Sequence, residues 1–185
     1  GLMKAAPAPT RMTAPVGRAA IIAGSCSEAT RGQIAAAKAA GIPAFAVDPL
    51  AIHAGRLASP QIVRWALDQQ ADKPVLIYSS ADPAVVRTIQ DKLGRDVAGT
   101  LVEREFARVA TALVEAGVTR LIVAGGETSG AVVNGLGVTA LEIGPEIDPG
   151  VPWTRSLGGP ALVLALKSGN FGAPDFFVKA WGMLA

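Results

Sequence analysis

One cysteine, one histidine and one tyrosine among 185 residues leave little material for metal or redox chemistry. Cys26 has no second cysteine with which to close an internal disulfide, and with His53 as the sole imidazole a zinc site lacks its usual donors. The two lie in different loops, so a Cys26–His53 nucleophilic pair would rest on inventory alone. Long apolar runs are also missing. Half the residues are apolar, yet runs such as Leu121 to Ala124 and Ala161 to Leu166 fall far short of the ~20 residues a spanning helix needs. Lys4 and Arg11 lie in a Pro/Ala-rich start with no apolar stretch behind them, unlike a secretory signal. A soluble, cytoplasmic protein with no membrane partner is expected. Neither sign of charge dominates: 17 basic and 15 acidic side chains are scattered without blocks, and aromatics make up only 5%. Nucleic acid is therefore not an expected partner. Two glycine signatures are absent as well. There is no GxxxxGK[ST] and no GxGxxG at the first strand-to-helix turn, which disfavours an ordinary P-loop and a dinucleotide-dependent oxidoreductase.

The chain does contain a regular alternation of short apolar runs and helical stretches. Residues 1–16 (GLMKAAPAPTRMTAPV) have no periodic pattern and read as a linker, leaving 17–185 as one domain of ample size for a single core. Strands are expected from Arg18 to Gly24, Ala44 to Val47, Val75 to Tyr78 and Arg120 to Val123, with further apolar runs at Val138 to Ile143 and Ala161 to Leu166. Between them lie helices beginning at Ser27 or Glu28, at Ser59-Pro60, at Asp82-Pro83, at a cap on Asp96, and after Gly125, with a last helix from Asp175 to Met183. Apolar residues Leu101, Val102, Phe106, Val109, Ala110, Leu113 and Val114 recur at helical spacing. Strands alternating with helices predict crossover connections and a three-layer α/β/α sandwich around a mainly parallel sheet.

Three polar, glycine-containing loops follow apolar strands: Gly24-Ser-Cys-Ser, Gly125-Gly-Glu-Thr-Ser-Gly and Lys167-Ser-Gly-Asn-Phe-Gly. Ser79-Ser80 forms a shorter fourth. Glycine admits close backbone approach to an anion, and hydroxyls and free N–H groups donate to phosphate oxygens. Any one loop suits a bend and a helix cap equally well; three on the same expected edge point to a nucleotide or phosphate ester. Glu127 suits either a helix cap or a magnesium site. Lys167 suits either a solvated strand end or charge neutralisation at a phosphoryl group. Trp153, in the turn-rich Asp148-Pro-Gly-Val-Pro-Trp-Thr-Arg, either covers the core from a surface loop or walls a nucleotide pocket.

In order along the chain, GSCSEATRGQ, YSSADP, AGGETSGAVVNGLG, IGPEIDPGVPW and LKSGNFG resemble the C-terminal nucleotide-binding domain of the four-carbon acid sugar kinases, from about Val16 onward. The resemblance implies the C-terminal half of a larger kinase that transfers the γ-phosphoryl group of ATP, with magnesium, to a four-carbon sugar acid of the threonate, erythronate or oxo-tetronate type. The sugar acid would be bound mainly by an N-terminal half, and self-association stays open. Ser25, Gly125, Gly126, Glu127, Thr128, Ser168, Gly169 and Asn170 are the nucleotide contacts the resemblance carries over, with Ser27 and Lys167 beside them and Glu127 toward the metal. No catalytic base is carried over. A non-catalytic module sensing a phosphorylated metabolite is the alternative.

Overall fold

The computed structural model describes residues 11–79 and 83–185; the expectations placed on Ser80 and Asp82 fall outside them. Its centre is a pair of parallel strands, β1 (Arg18–Ala23) and β4 (Val118–Ala124), aligned from Ala19 opposite Arg120 to Ala23 opposite Ala124. Ala20 to Ala23 and Leu121 to Ala124 have no solvent exposure. Such continuous apolar strands form because helices cover both sheet faces.

The remaining elements follow in chain order. After β1 come α1 (Glu28–Ala39), β2 (Ala44–Ala46), α2 (Pro49–His53), α3 (Ser59–Leu67), β3 (Val75–Tyr78), α4 (Pro83–Leu93) and α5 (Arg95–Glu115). After β4 come α6 (Gly126–Gly135), β5 (Ala140–Asp148), β6 (Val151–Leu157), β7 (Val163–Lys167) and α7 (Phe176–Lys179), with a 3-10 turn over Ala180–Met183. The seven strands lie in the order β2-β3-β1-β4-β7-β6-β5. The first five run parallel, while β6 pairs antiparallel with both β7 and β5. The expected three-layer α/β/α architecture is what forms. On one face α3, α5 and α6 bury Ile62, Phe106, Val109, Leu113 and Val132 against the sheet. On the other, α1 and α7 bury Ile34, Ala37, Phe176 and Phe177.

Several local expectations are corrected. Asp148-Pro-Gly-Val-Pro-Trp is a hairpin, not a surface loop: Asp148 pairs with Val151 across Pro149-Gly150, and Gly150 has φ +80° as the third position of a tight turn requires. Trp153 is thereby carried into the interior, fully buried, with Nε1 donating to Ala180 O at 3.0 Å and its ring 5.6 Å from that of Trp181. It walls no nucleotide pocket. Helix α2 had no recognised signal. Asp96 is not a cap, since α5 starts one residue earlier behind Gly94 at φ +84°. The described end of the segment read as a linker is tied down: Met12 is buried, bridges Leu184, and accepts from Ala185 N at 3.0 Å.

Candidate functional site: a glycine-lined cavity at the strand ends

Neighbouring strands β1 and β4 send their following helices to opposite faces, α1 into one core and α6 into the other. Loops that part in this way leave a crevice beyond the carboxyl ends of the strands, the ordinary ligand position of open α/β sheets. A cavity of about 950 Å³ opens there. Its floor is Gly24, Ser25 and Cys26 after β1 and Gly125, Gly126, Glu127 and Thr128 after β4. Its walls come from Val47, Asp48 and Tyr78 at the ends of β2 and β3, from Val86, Ile89 and Gln90 on α4, and from the start of α5 through Glu103.

Hydrogen bonds lock the loops to one another. Gly24 N and Ser25 N donate to Ala124 O at 2.9 and 3.2 Å, and Gly125 N donates to Lys167 O at 2.9 Å. Gly24 packs directly on the buried Thr128 hydroxyl. Gly125, at φ +127°, leaves room in which a Cβ would sit 3.0 Å from Thr128 Oγ1 and 3.2 Å from Ser25 N, so only glycine fits. Gly169 lies on the Ser25 and Ser27 hydroxyls. Among the described residues no side chain caps α6, and its first-turn residues Gly126, Glu127 and Thr128, whose N–H groups have no partner within the helix, line the cavity. Gly126 has open space where a side chain would project.

The third loop, 168–173, is held from behind by α1. Ser27 Oγ caps α1 at Thr30 N and donates to Gly169 O at 2.6 Å, and Thr30 Oγ1 donates to the same carbonyl at 2.9 Å. Buried Gln33 Nε2 reaches the carbonyls of Phe171, Gly172 and Ala173 at 3.0, 2.9 and 3.1 Å. Lys167 is open in the sequence to two readings, a solvated strand end or a cation at a phosphoryl group. It is instead 1% exposed, with Nζ 3.2 Å from Thr30 Oγ1, 3.1 Å from Ser168 O and 3.2 Å from Gly169 O. Burial lowers its pKa to about 8.

Of the expected site residues, Ser25, Gly125, Gly126, Glu127 and Thr128 line the one cavity. Ser27, Lys167, Ser168, Gly169 and Asn170 stand outside its lining, in or against the loop that backs Ser25. Cys26 lines the cavity with Sγ 3.7 Å from Ser79 O, whereas His53 is exposed at the end of α2, away from the lining, so no Cys–His pair forms there. The sequence reading missed Asp48, which caps α2, and the α5 stretch from Asp96 to Glu103. A sign of the latter was available: Gly99-Thr100 near the start of a long helix is poor helix material. Glu103 is raised by burial and then by the charge of Glu127 and a hydrogen bond with it. Those two carboxyl groups therefore meet at the cavity rim. Among the described lining residues four are acidic, Asp48, Asp96, Glu103 and Glu127, and none is Lys, Arg or His.

A three-layer sheet whose diverging strand ends hold an uncapped helix terminus over a large cavity defines a nucleotide-binding class of α/β domain. Comparison with known proteins agrees: residues 20–177 match the family described as the nucleotide-binding C-terminal domain, and the chain belongs to it. That match agrees with the resemblance to the C-terminal domain of the four-carbon acid sugar kinases carried by the sequence motifs. The 3-oxo-tetronate kinase of Pseudomonas fluorescens is 51% identical over 165 residues, which make up 89% of this chain and 38% of that protein. The enzyme of the same name from Methylobacterium radiotolerans is 50% identical over 173 residues, 92% of this chain and 41% of that one. A solved Haemophilus influenzae structure superposes with a TM-score of 0.86 at 37% identity, covering 94% of this chain and 42% of that one. A Bordetella bronchiseptica structure described as a domain-swapped dimer with bound citrate shares the fold at 20% identity, with a TM-score of 0.73 and coverage of 90% and 41%. The chain thus spans about two fifths of the length of the relatives it matches.

Proposed function

We propose that this chain is the ATP-binding part of a kinase that phosphorylates a four-carbon sugar acid of the 3-oxo-tetronate type, with the acid held mainly by a further domain. The observation that carries the reading is the convergence of Gly24-Ser25 and Gly125-Thr128 on one cavity. Phosphoryl transfer asks a protein chiefly to align donor and acceptor and to offset charge. The uncapped α6 terminus and the Ser25 hydroxyl are the groups of this chain suited to grip a polyphosphate. The apolar wall of Val47, Val86 and Ile89 suits a purine.

Magnesium fits the rim. Glu127 and Glu103 crowd each other there, with Glu103 raised by burial and by Glu127, and hard divalent cations prefer such carboxylate oxygens. When bound, the ion would supply positive charge to the phosphate oxygens, in a cavity whose described lining offers no cationic side chain. The names of the relatives favour a kinase over a metabolite sensor.

Titration calorimetry of ATP with magnesium tests the reading. Gly126→Val is the informative variant, because Gly126 meets nothing that its fold needs. The expected result is saturable binding to the parent chain and at least about tenfold weaker binding to the variant, with an unchanged unfolding midpoint. Equal affinity in both proteins would sink the reading.

A further inference from the structure

The ammonium of Lys167 lies at the carboxyl end of β7, against the candidate nucleotide edge, yet turns away from the cavity. Its three N–H donors meet three oxygens, those of Thr30 Oγ1, Ser168 O and Gly169 O. No salt bridge engages it among the described residues. Gly169 O also receives the hydroxyls of Ser27 and Thr30, and Gln33 takes the next carbonyls of the loop. Apart from the bond to Thr30 Oγ1, these contacts are made to carbonyls of 168–173. The C=O of one residue and the N–H of the next point in opposite directions across a planar peptide unit, so holding the carbonyls of Ser168 and Gly169 against α1 turns the N–H groups of Gly169 and Asn170 away from it.

We propose that Lys167 is a positioning residue: it clamps the carbonyls of Ser168 and Gly169 against α1 so that the amides of Gly169 and Asn170 face the nucleotide phosphates, which it does not itself touch. This deepens the nucleotide reading of the site and rests on it. The clamp needs the ammonium form, because a neutral amine has a lone pair where the third donor stood. With a pKa of about 8, set by burial, the clamp is complete below that value and loosens as pH rises through it. The elements packed around it bring no charge that perturbs it. From α1 the facing groups are Thr30 and, near it, Ser27 and Gln33; from α7 it is the Phe177 ring, 6.0 Å away. The charged groups on the neighbouring elements are Glu28, Arg31 and Lys38 on α1, Glu127 on α6, Asp175 and Lys179 at the two ends of α7, Arg120 on β4, Arg155 on β6 and Asp148 at the end of β5; none contributes to its shift.

The test begins without nucleotide. Amide resonances of Gly169 and Asn170 are followed from about pH 6.5 to about 9.5, bracketing the lysine. A common midpoint near 8 is expected in the parent chain and its absence in Lys167→Met. Thr30→Val, nearly isosteric, removes one acceptor and guards against a Lys167→Met chain that fails to fold; it is expected to displace the same amides. ATP with magnesium is then titrated at both ends of the range. Affinity should fall about tenfold with rising pH in the parent and show no such fall in Lys167→Met. Amides that keep their positions in Lys167→Met while affinity collapses would make the lysine a direct ligand and overturn the proposal. Amides indifferent to both pH and Thr30→Val would overturn it too. Loop amides that titrate as described in a chain that binds no nucleotide would leave the clamp standing and remove the nucleotide reading.

Discussion

At the scale of single residues, the site depends on where a β-carbon is affordable. Gly24 and Gly169 have neighbours pressed against them, whereas Gly126 faces open space. The first two are packing glycines, and the third is free to be a ligand surface. Glu103 and Glu127 belong to the same scale. A carboxyl raised in the folded state keeps its proton to higher pH than in the unfolded chain. The resulting cost to stability is absent in acid, grows as pH rises from the ordinary carboxylate range through the raised value, and is complete above it. Glu127→Gln removes the repulsion and leaves the burial, so Glu103 is expected to titrate lower, though still above an exposed glutamate. Carboxyl carbon shifts read this directly; an unmoved Glu103 would show that the two groups do not interact and would withdraw the support for magnesium at the rim.

At the scale of elements, the β5–β6 hairpin extends a parallel sheet with antiparallel strands and seats Trp153 against the 3-10 turn. Trp153→Phe keeps an aromatic ring but leaves Ala180 O without its donor in a buried place. A loss of about 1–3 kcal/mol is expected in urea unfolding, with the cavity and its ligand affinity untouched. This element was the least legible in the sequence. Asp148-Pro-Gly-Val-Pro-Trp is dense in turn residues, and two prolines so close hide a strand whose residues pair across register shifts. The central strands were legible, because Ala-Ile-Ile-Ala and Leu-Ile-Val-Ala between glycines leave no option but burial. The loops after β1 and β4 were legible for the same reason, since their glycines follow strands that had already been placed. What stayed hidden was the far wall of the cavity. Asp96 to Glu103 belong to an amphipathic helix whose periodicity reports the core it packs on and says nothing of the cleft its first turns overlook. The inward turn of Lys167 was equally invisible, because residue type carries no direction.

For the molecule as a whole, the described start of the chain and its end are joined. Met12 is buried beside Trp153 and Gly144, bridges Leu184 and bonds to Ala185. Met12→Ala should therefore cost about 2–4 kcal/mol of global stability, measured by denaturant unfolding, while nucleotide affinity stays constant because the cavity lies at the carboxyl edge of the sheet. A large effect on affinity with none on stability would contradict that separation of roles. The backing of loop 168–173 has a broader consequence. The carbonyls of Ser168, Gly169, Phe171, Gly172 and Ala173 are already satisfied by Ser27, Thr30, Gln33 and Lys167, so the surface that the proposed anion would meet is finished before it arrives. Ordering on association then falls mainly on the guest and little on the host, which is the thermodynamic meaning of a preorganised receptor.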